Sequence, residues 1–313
     1  MAHADVQLSA FMHKDDPGED AGGYEWMFSE AGRVLRGADL AIGNLEVVVD
    51  QSRPASGYPS FNADPLLLEG LKKSGLDLLC LANNHILDLG KKGLTETVHQ
   101  VEEKGFIHAG IPDESGEGGV TVVPLAGREK NCRLAVINYT VLSNVKPSET
   151  GVIHYESGYR LLLKKIRAKI RAALERKADV ILVYLHWGRE YHRMPTSAQR
   201  ELALKLCLAG ADFIIGAHPH VIQPLEKVYT KMGNIYTERV KGCREHVIAY
   251  SLGNFISHQR GLCKYGMALQ LDFSVTERGM RLARSIPHIV KSRLVNEELV
   301  QGNLVRVQHT YRP

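Results

Sequence analysis

The sequence predicts an α/β fold of mixed sheets flanked by helices, and three observations carry that prediction. Short β-branched or leucine-rich runs alternate with stretches of helical periodicity, most of the runs are almost continuously apolar, and the tail switches to strict alternation. Residues 39–44 (DLAIGN), 77–83 (DLLCLAN), 133–140 (RLAVINYT), 179–187 (DVILVYLHW), 212–218 (DFIIGAH) and 246–254 (HVIAYSLGN) read as strands. Continuous apolarity fits strands covered on both faces. Between them, Leu94, Val98 and Val101 fall at helical spacing with Gly105 as a stop, and Leu162, Ile166, Ile170 and Leu174 form a second stripe. A third helix is expected within residues 195–212, opened by a Thr196 to Gln199 capping box and closed by Gly210. Its stripe is read as Ala198, Leu202, Leu206 and Ala209. The runs MALQLDFSV and LVRVQHTY, beyond residue 266, alternate as antiparallel strands do. Residues 50–65 and 111–119 are loop-like, and neither demands a domain boundary. One domain is expected over 1–313, with its core at about 38–257 and a β-rich tail at about 266–313.

Composition narrows the function. The chain has 313 residues, 44% of them apolar and 24% charged, which is ordinary for a globular protein. A net charge of +4, with Lys and Arg dispersed, gives no reason to expect nucleic acid as a partner. The basic residues Lys164, Lys165, Arg167, Lys169 and Arg171 read as a solvated helix face. Cys80, Cys132, Cys207, Cys243 and Cys263 are odd in number and lack CxxC spacing, so reduced thiols are expected, not a disulfide framework or a cysteine zinc knot. No apolar run approaches the roughly 18 residues of a membrane span, and Met1 is not followed by a basic and then apolar leader. As given, the chain is expected to be soluble.

Polar residues then cluster where the strands end. The stretches GNLE (43–46), ANNH (82–85), HWGREY (186–191), GAHPH (216–220) and SLGN (251–254) each follow a strand run. In α/β sheets ligands gather at such carboxyl ends. Imidazole, carboxamide and carboxylate donors without thiolate suit a divalent Mn, Fe or Zn ion. Two such ions bridged by a carboxylate would make a hydrolase site.

The segments ADLAIGNLE, LANNHILDLGKKGLTETV, HWGREYHRMPTSAQRELA, GADFIIGAHPHVIQPLE and YSLGNFIS resemble the successive signatures of the bacterial capsule-synthesis, or poly-γ-glutamate synthesis (CapA/PgsA type), proteins. Order and spacing agree over about 38–257. That family is similar to the calcineurin-like metallophosphoesterases, so the resemblance implies a four-layer α/β sandwich with a dinuclear metal centre at strand ends. It implies Glu46 as the bridging carboxylate, with Asn44 competing for the role. Asn84, His186, His218 and His220 are implied as further metal ligands, and His85 as the catalytic general acid or anion stabiliser. Asp88 is expected either to buttress His85 or to cap the next helix. Glu190 and Arg189 are expected to line a cleft for anionic substrate, Asn254 to complete the polar edge, and Trp187 to pack.

One departure from the pattern stands out. No strand ending in Gly-Asp precedes GNLE, so the first strand is expected to be missing by truncation at the N-terminus, leaving close to one metal per chain; His3 could match a first-motif histidine. The resemblance implies a metal-dependent hydrolase acting in the making, trimming or export of an anionic polymer, through a phosphoester or an amide-type bond. A non-catalytic, metal-stabilised subunit of a membrane polymer-synthase complex is the competing class, and a generic cytosolic metallophosphatase a third. Members of that family are often membrane-anchored at the cell surface.

Overall fold

The structure, a computed structural model, describes residues 28–112, 119–125, 131–257, 259–276, 279–295 and 298–306. His3 and the first-motif question lie outside them.

Two parallel systems make the frame. Strands β1 (Ile42–Asn44), β2 (Leu78–Cys80) and β3 (Ile107–Ala109) form a small parallel sheet in that order. Strands β4 (Thr121–Leu125), β5 (Cys132–Thr140), β6 (Val180–His186), β7 (Phe213–Ala217), β8 (Leu225–Lys231), β9 (Asn234–Tyr236) and β10 (Arg244–Ala249) form a second sheet, ordered β4-β5-β6-β7-β10-β8-β9. Its central members β5, β6, β7 and β10 are parallel. Every residue of β6 is buried, as its unbroken apolar run requires. Strands β11 (Tyr265–Thr276), β12 (Gly279–Val295) and β13 (Glu298–Arg306) complete the fold as an antiparallel meander, as the alternating tail predicts.

Helices cover both outer faces. Helices α1 (Ser29–Leu35), α2 (Leu66–Lys73) and α3 (Gly90–Glu103) belong to the small sheet's side of the chain, and α4 (Tyr159–Glu175) and α5 (Ser197–Ala209) are the crossovers of the large sheet. Three apolar clusters separate the layers. Leu67, Leu71, Leu94 and Val101 pack with Leu79 and Leu81. Leu78, Cys80 and Ala109 meet Leu134, Leu182 and Ile215 between the sheets. Ile166, Ile170, Leu202 and Leu206 cover Ile137, Val183 and Ile214. Helix, sheet, sheet and helix therefore stack as four layers.

Local chemistry sets the register. Asp77, Asp179 and Asp212 each precede a strand and accept a backbone N–H of a neighbouring chain segment, from Ala41, Arg133 and Ile181 respectively, all at 2.9 Å. Gly216 lets β7 approach the chain beyond β10, since a Cβ there would sit 1.9 Å from the Tyr250 carbonyl oxygen. The Thr196–Gln199 capping box is present, with Gly210 left-handed at the helix end. The sheets are also bolted together: Asn138 Oδ1 accepts from Ala82 N at 2.8 Å and its Nδ2 donates to the Tyr184 carbonyl at 3.2 Å.

Two helical stripes need correction. Leu174 is exposed and Ala173 takes the buried place, because the helix drifts past the sheet in its last turn. On α5, Ala198 is exposed; the inner face is Gln199, Leu202, Ala203, Leu206 and Cys207, since Gln199 is drawn in by the cap. The strand expected to reach residue 254 ends at Ala249, where the chain turns off the sheet. Among the described residues, β1 pairs with β2, and β11 with β12 and, near its start, with Gly253 through Gly266; β1 and β11 both line a cavity of about 730 Å³, with Leu40, Ile42, Leu182, Ile215, Met267 and Leu269 in its walls.

Candidate metal centre

The strand ends deliver the site. Glu46 lies just past β1, where Leu45 N still donates to the Cys80 carbonyl. Asn84 and His85 follow β2 in a turn fixed by Asn83, whose Nδ2 donates to the Leu45 carbonyl at 2.7 Å and whose Oδ1 accepts from His85 N at 3.1 Å. His186 is the last residue of β6. His218 and His220 follow β7 with φ of 94° and 59°, a region that costs a non-glycine residue about 1–3 kcal/mol. Such strain survives only where the surroundings hold the residue in place.

Four of the expected ligands meet at one point. His186 Nε2 stands 2.8 Å from Asn84 Oδ1 and 3.5 Å from Glu46 Oε1, joining residues from both sheets. Donor atoms of Glu46, His186 and His218 lie within 4.8 Å of one another, and the three residues are buried. A second group of donors, Glu190, His218 and His220, meets the same limit. Asn44 Nδ2 donates to Glu46 Oε2 at 3.3 Å, so Asn44 orients the carboxylate. His220 Nδ1 pairs with Asn254 Oδ1 at 3.0 Å while Asn254 Nδ2 donates to Gln259 and to the Cys263 carbonyl. Because that amide nitrogen is committed, its oxygen accepts from Nδ1–H and leaves His220 Nε2 as the basic atom.

His85 is held differently. Its Nδ1 lies 2.7 Å from Asp88 Oδ2 and 3.1 Å from Asn144 Nδ2, so a carboxylate and an amide both hold that edge of the ring. Asp88 also accepts from Phe61 N at 2.9 Å, and the Phe61 ring packs on the imidazole at 4.5 Å. Helix α3 is capped by Leu89 without a side-chain bond, so Asp88 serves His85 and not the helix. Sequence reasoning missed Asn144. Its Oδ1 accepts from Asn84 Nδ2 at 3.2 Å and its Nδ2 reaches Asp88 Oδ1 at 3.3 Å, linking the ligand candidate to the His85 pair. It follows β5, whose end was a sixth place to look. Arg189 and Glu190 lie on the exposed rim, and Trp187 is fully buried, stacked on Tyr250.

Electrostatics matches the donor set. Burial, reinforced by His218 and His220, drives His186 well below the ordinary histidine range. His218 is pushed down to about 3 by burial and then by His220 and His85, and burial lowers His220 as well. Burial raises Glu46 well above the usual carboxylate range. Neutral imidazoles keep their lone pairs for a cation. Glu46 Oε1, Asn44 Oδ1, His186 Nδ1 and His218 Nδ1 are buried without a hydrogen-bond partner, each a cost of about 1–3 kcal/mol. The unpartnered oxygen of Glu46 and nitrogen of His218, two residues of one buried donor group, fit a divalent ion of the Mn, Fe or Zn type.

Comparison with known proteins agrees with the arrangement of signatures. The chain is 28% identical over 278 residues to the capsule biosynthesis protein CapA of Bacillus anthracis, covering 85% of this chain and 61% of that one. It is 26% identical over 266 residues to the PGA biosynthesis protein CapA of Bacillus subtilis (strain 168), covering 82% and 62%. The chain thus spans about three-fifths of the length of these curated relatives. Among solved structures, the NAD nucleotidase of Haemophilus influenzae is similar with a TM-score of 0.48 and 13% identity, over 90% of this chain and 48% of that one. The family model described as bacterial capsule synthesis protein PGA_cap matches residues 1–259, and the chain belongs to that family.

Proposed function

We propose that the chain is a metal-dependent hydrolase of capsule or polyglutamate synthesis, acting on a phosphoester or amide-type bond of an anionic polymer or its precursor. The observation that carries this reading is the convergence of Asn84, Glu46 and His218 on His186, four buried donors from both sheets. The names of the Bacillus relatives support the biosynthetic context. We assign Glu46, Asn84, His186, His218 and His220 to hold up to two Mn, Fe or Zn ions. When bound, such ions supply Lewis acidity toward the scissile group and toward water.

The chain's own residues do the rest. Asn44 and Asn254 orient the Glu46 carboxylate and the His220 ring. Asp88 and Asn144 orient the His85 ring, and Asn144 also holds Asp88 and the Asn84 amide. In the reaction, the water oxygen adds to phosphorus or carbonyl carbon and the bond to the leaving oxygen or nitrogen breaks. His85, as the imidazolium, gives its Nε2 proton to the leaving atom, and the proton shed by the attacking water restores it. Arg189, exposed at the rim, meets the negative charge of the polymer.

The test compares Mn-loaded and chelated protein on a bis-nitrophenyl phosphodiester and on a γ-glutamyl anilide. Metal-dependent release from either substrate, abolished in a His218→Ala, His220→Ala double variant that still folds, is the expected result. Full metal content with no turnover of either would overturn it in favour of an accessory subunit of a polymer-synthase complex.

A further inference from the structure

We propose that Glu190 is a metal ligand, completing a second cation site with His218 and His220 as its outer, exchangeable carboxylate. This deepens the metal-dependent reading above and rests on it. The site around His186 already has a carboxylate in Glu46, whereas His220 lies on the far side of His218, with ring centroids 5.9 Å apart. Glu190 Oε1 stands 3.9 Å from His220 Nε2. That is too long for a hydrogen bond. It is close to the roughly 3.3 Å that separates two ligands held about 2.0–2.1 Å from one tetrahedral ion.

The loop that carries Glu190 is built onto the histidine loop. Trp187 N donates to the Ala217 carbonyl at 3.1 Å, and Tyr191 N to the Pro219 carbonyl at 2.8 Å. The Tyr191 ring stacks on His220 at 5.7 Å and 25°. Gly188, at φ 95°, closes the turn against Gln199, and Tyr191 is itself left-handed at φ 63°. Gln223 Nε2 then clamps the His192 carbonyl at 2.7 Å. A backbone pinned on both sides of Glu190, in strained conformations, places the carboxylate at the ring edge of His220 by construction.

An independent observation points to the ion. His218 is only 6% exposed, and its Nδ1 has no hydrogen-bond partner. An imidazole that buried, grouped with both Glu46 and Glu190 and with its Nδ1 unpartnered, is arranged as a ligand and not as a packed ring. Glu190 differs from Glu46 in one respect that defines its role: its side chain is 45% exposed. It can swing out to admit an ion or a substrate oxygen, so the second site is the weaker and exchanging one.

The experiment is a Mn²⁺ titration of chelated, dialysed protein, counting free ion by electron paramagnetic resonance. With two donor groups present, wild type should take up two ions, against the sequence expectation of close to one. Glu190→Gln and Glu190→Ala should keep one at wild-type affinity and weaken the other at least about tenfold, with unchanged thermal melts in chelator. His186→Ala should weaken the complementary ion. Glu190 variants that match wild type at both sites, or lose both together, overturn the assignment. So does a wild type that takes up one ion only. A wild type that binds none overturns the metal-dependent reading itself.

Discussion

Lowering the pH from 7 to 5 in chelator should cost the fold about 2 kcal/mol through His218 alone. The ring ordinarily titrates at 6.5 and in the folded chain at about 3. Between pH 7 and 5 the unfolded chain therefore takes up a proton that the folded chain refuses, and integrating that uptake gives about 2 kcal/mol. The sign follows from the lowered value: this stability is present above 6.5 and is lost progressively as the pH falls toward 3. His186 and His220 shift in the same direction. Glu46 opposes them. Its raised carboxyl binds a proton in the folded state first, so its contribution grows as the pH falls toward the ordinary carboxylate range. A single wild-type curve mixes these effects, and the informative quantity is the difference from His218→Gln. Urea midpoints at pH 7, 6 and 5, converted with a common m-value, should show the variant losing about 2 kcal/mol less than wild type across the range. Parallel curves for the two proteins would refute the claim that the folded state keeps His218 neutral.

Other expectations concern chemistry and bracing. His85→Gln should retain metal and lose about 10²- to 10⁴-fold in rate; metal loss alongside activity, measured by elemental analysis, would move His85 into the coordination shell. Because burial raises Glu46, Glu46→Gln should lower the number of protons released per ion bound, read by calorimetry in two buffers of different ionisation enthalpy; equal release would show that Glu46 gives up no proton to the ion. Asn138→Ala strips partners from Ala82 N and the Tyr184 carbonyl, both buried, and should cost about 2–4 kcal/mol in urea. A loss below about 1 kcal/mol would mean that water or a shifted backbone satisfies both groups.

Much of the frame was legible because its signals are local. The unbroken run over 179–187 could only be a strand covered on both faces, and it is β6. Thr196 and Gln199 announce a helix start by a reciprocal pair of bonds that two residues suffice to specify. Helices α1 and α2 and strands β3, β4, β8 and β9 are not legible in the sequence. Three-residue strands such as β3 and β9 carry too little periodicity to register, and the helical LLLEGLKK stretch lay beside a loop whose glycine and proline dominated the reading. The site divides in the same way. Histidines at strand ends are conspicuous because imidazole is rare there. Asn144 is invisible in sequence, since an asparagine in a loop is unremarkable until Asn84 and Asp88 are seen to meet on it. Glu190 was visible but its partner was not: that it lies at His220 and not elsewhere in the cleft depends on the Tyr191–Pro219 bond.

The cavity lined by β1 and β11 bears on how the protein responds to compression. At about 730 Å³ it corresponds to the liquid volume of roughly two dozen water molecules, each near 30 Å³. Its lining is mainly apolar, with Arg33, Asp39, Asn44, Gln270 and Asp272 among it, and it opens to solvent. Unfolding removes that space, and the volume change of unfolding scales with the void eliminated. The pressure dependence of unfolding therefore reads how much of the space between the two sheets the folded chain keeps from water.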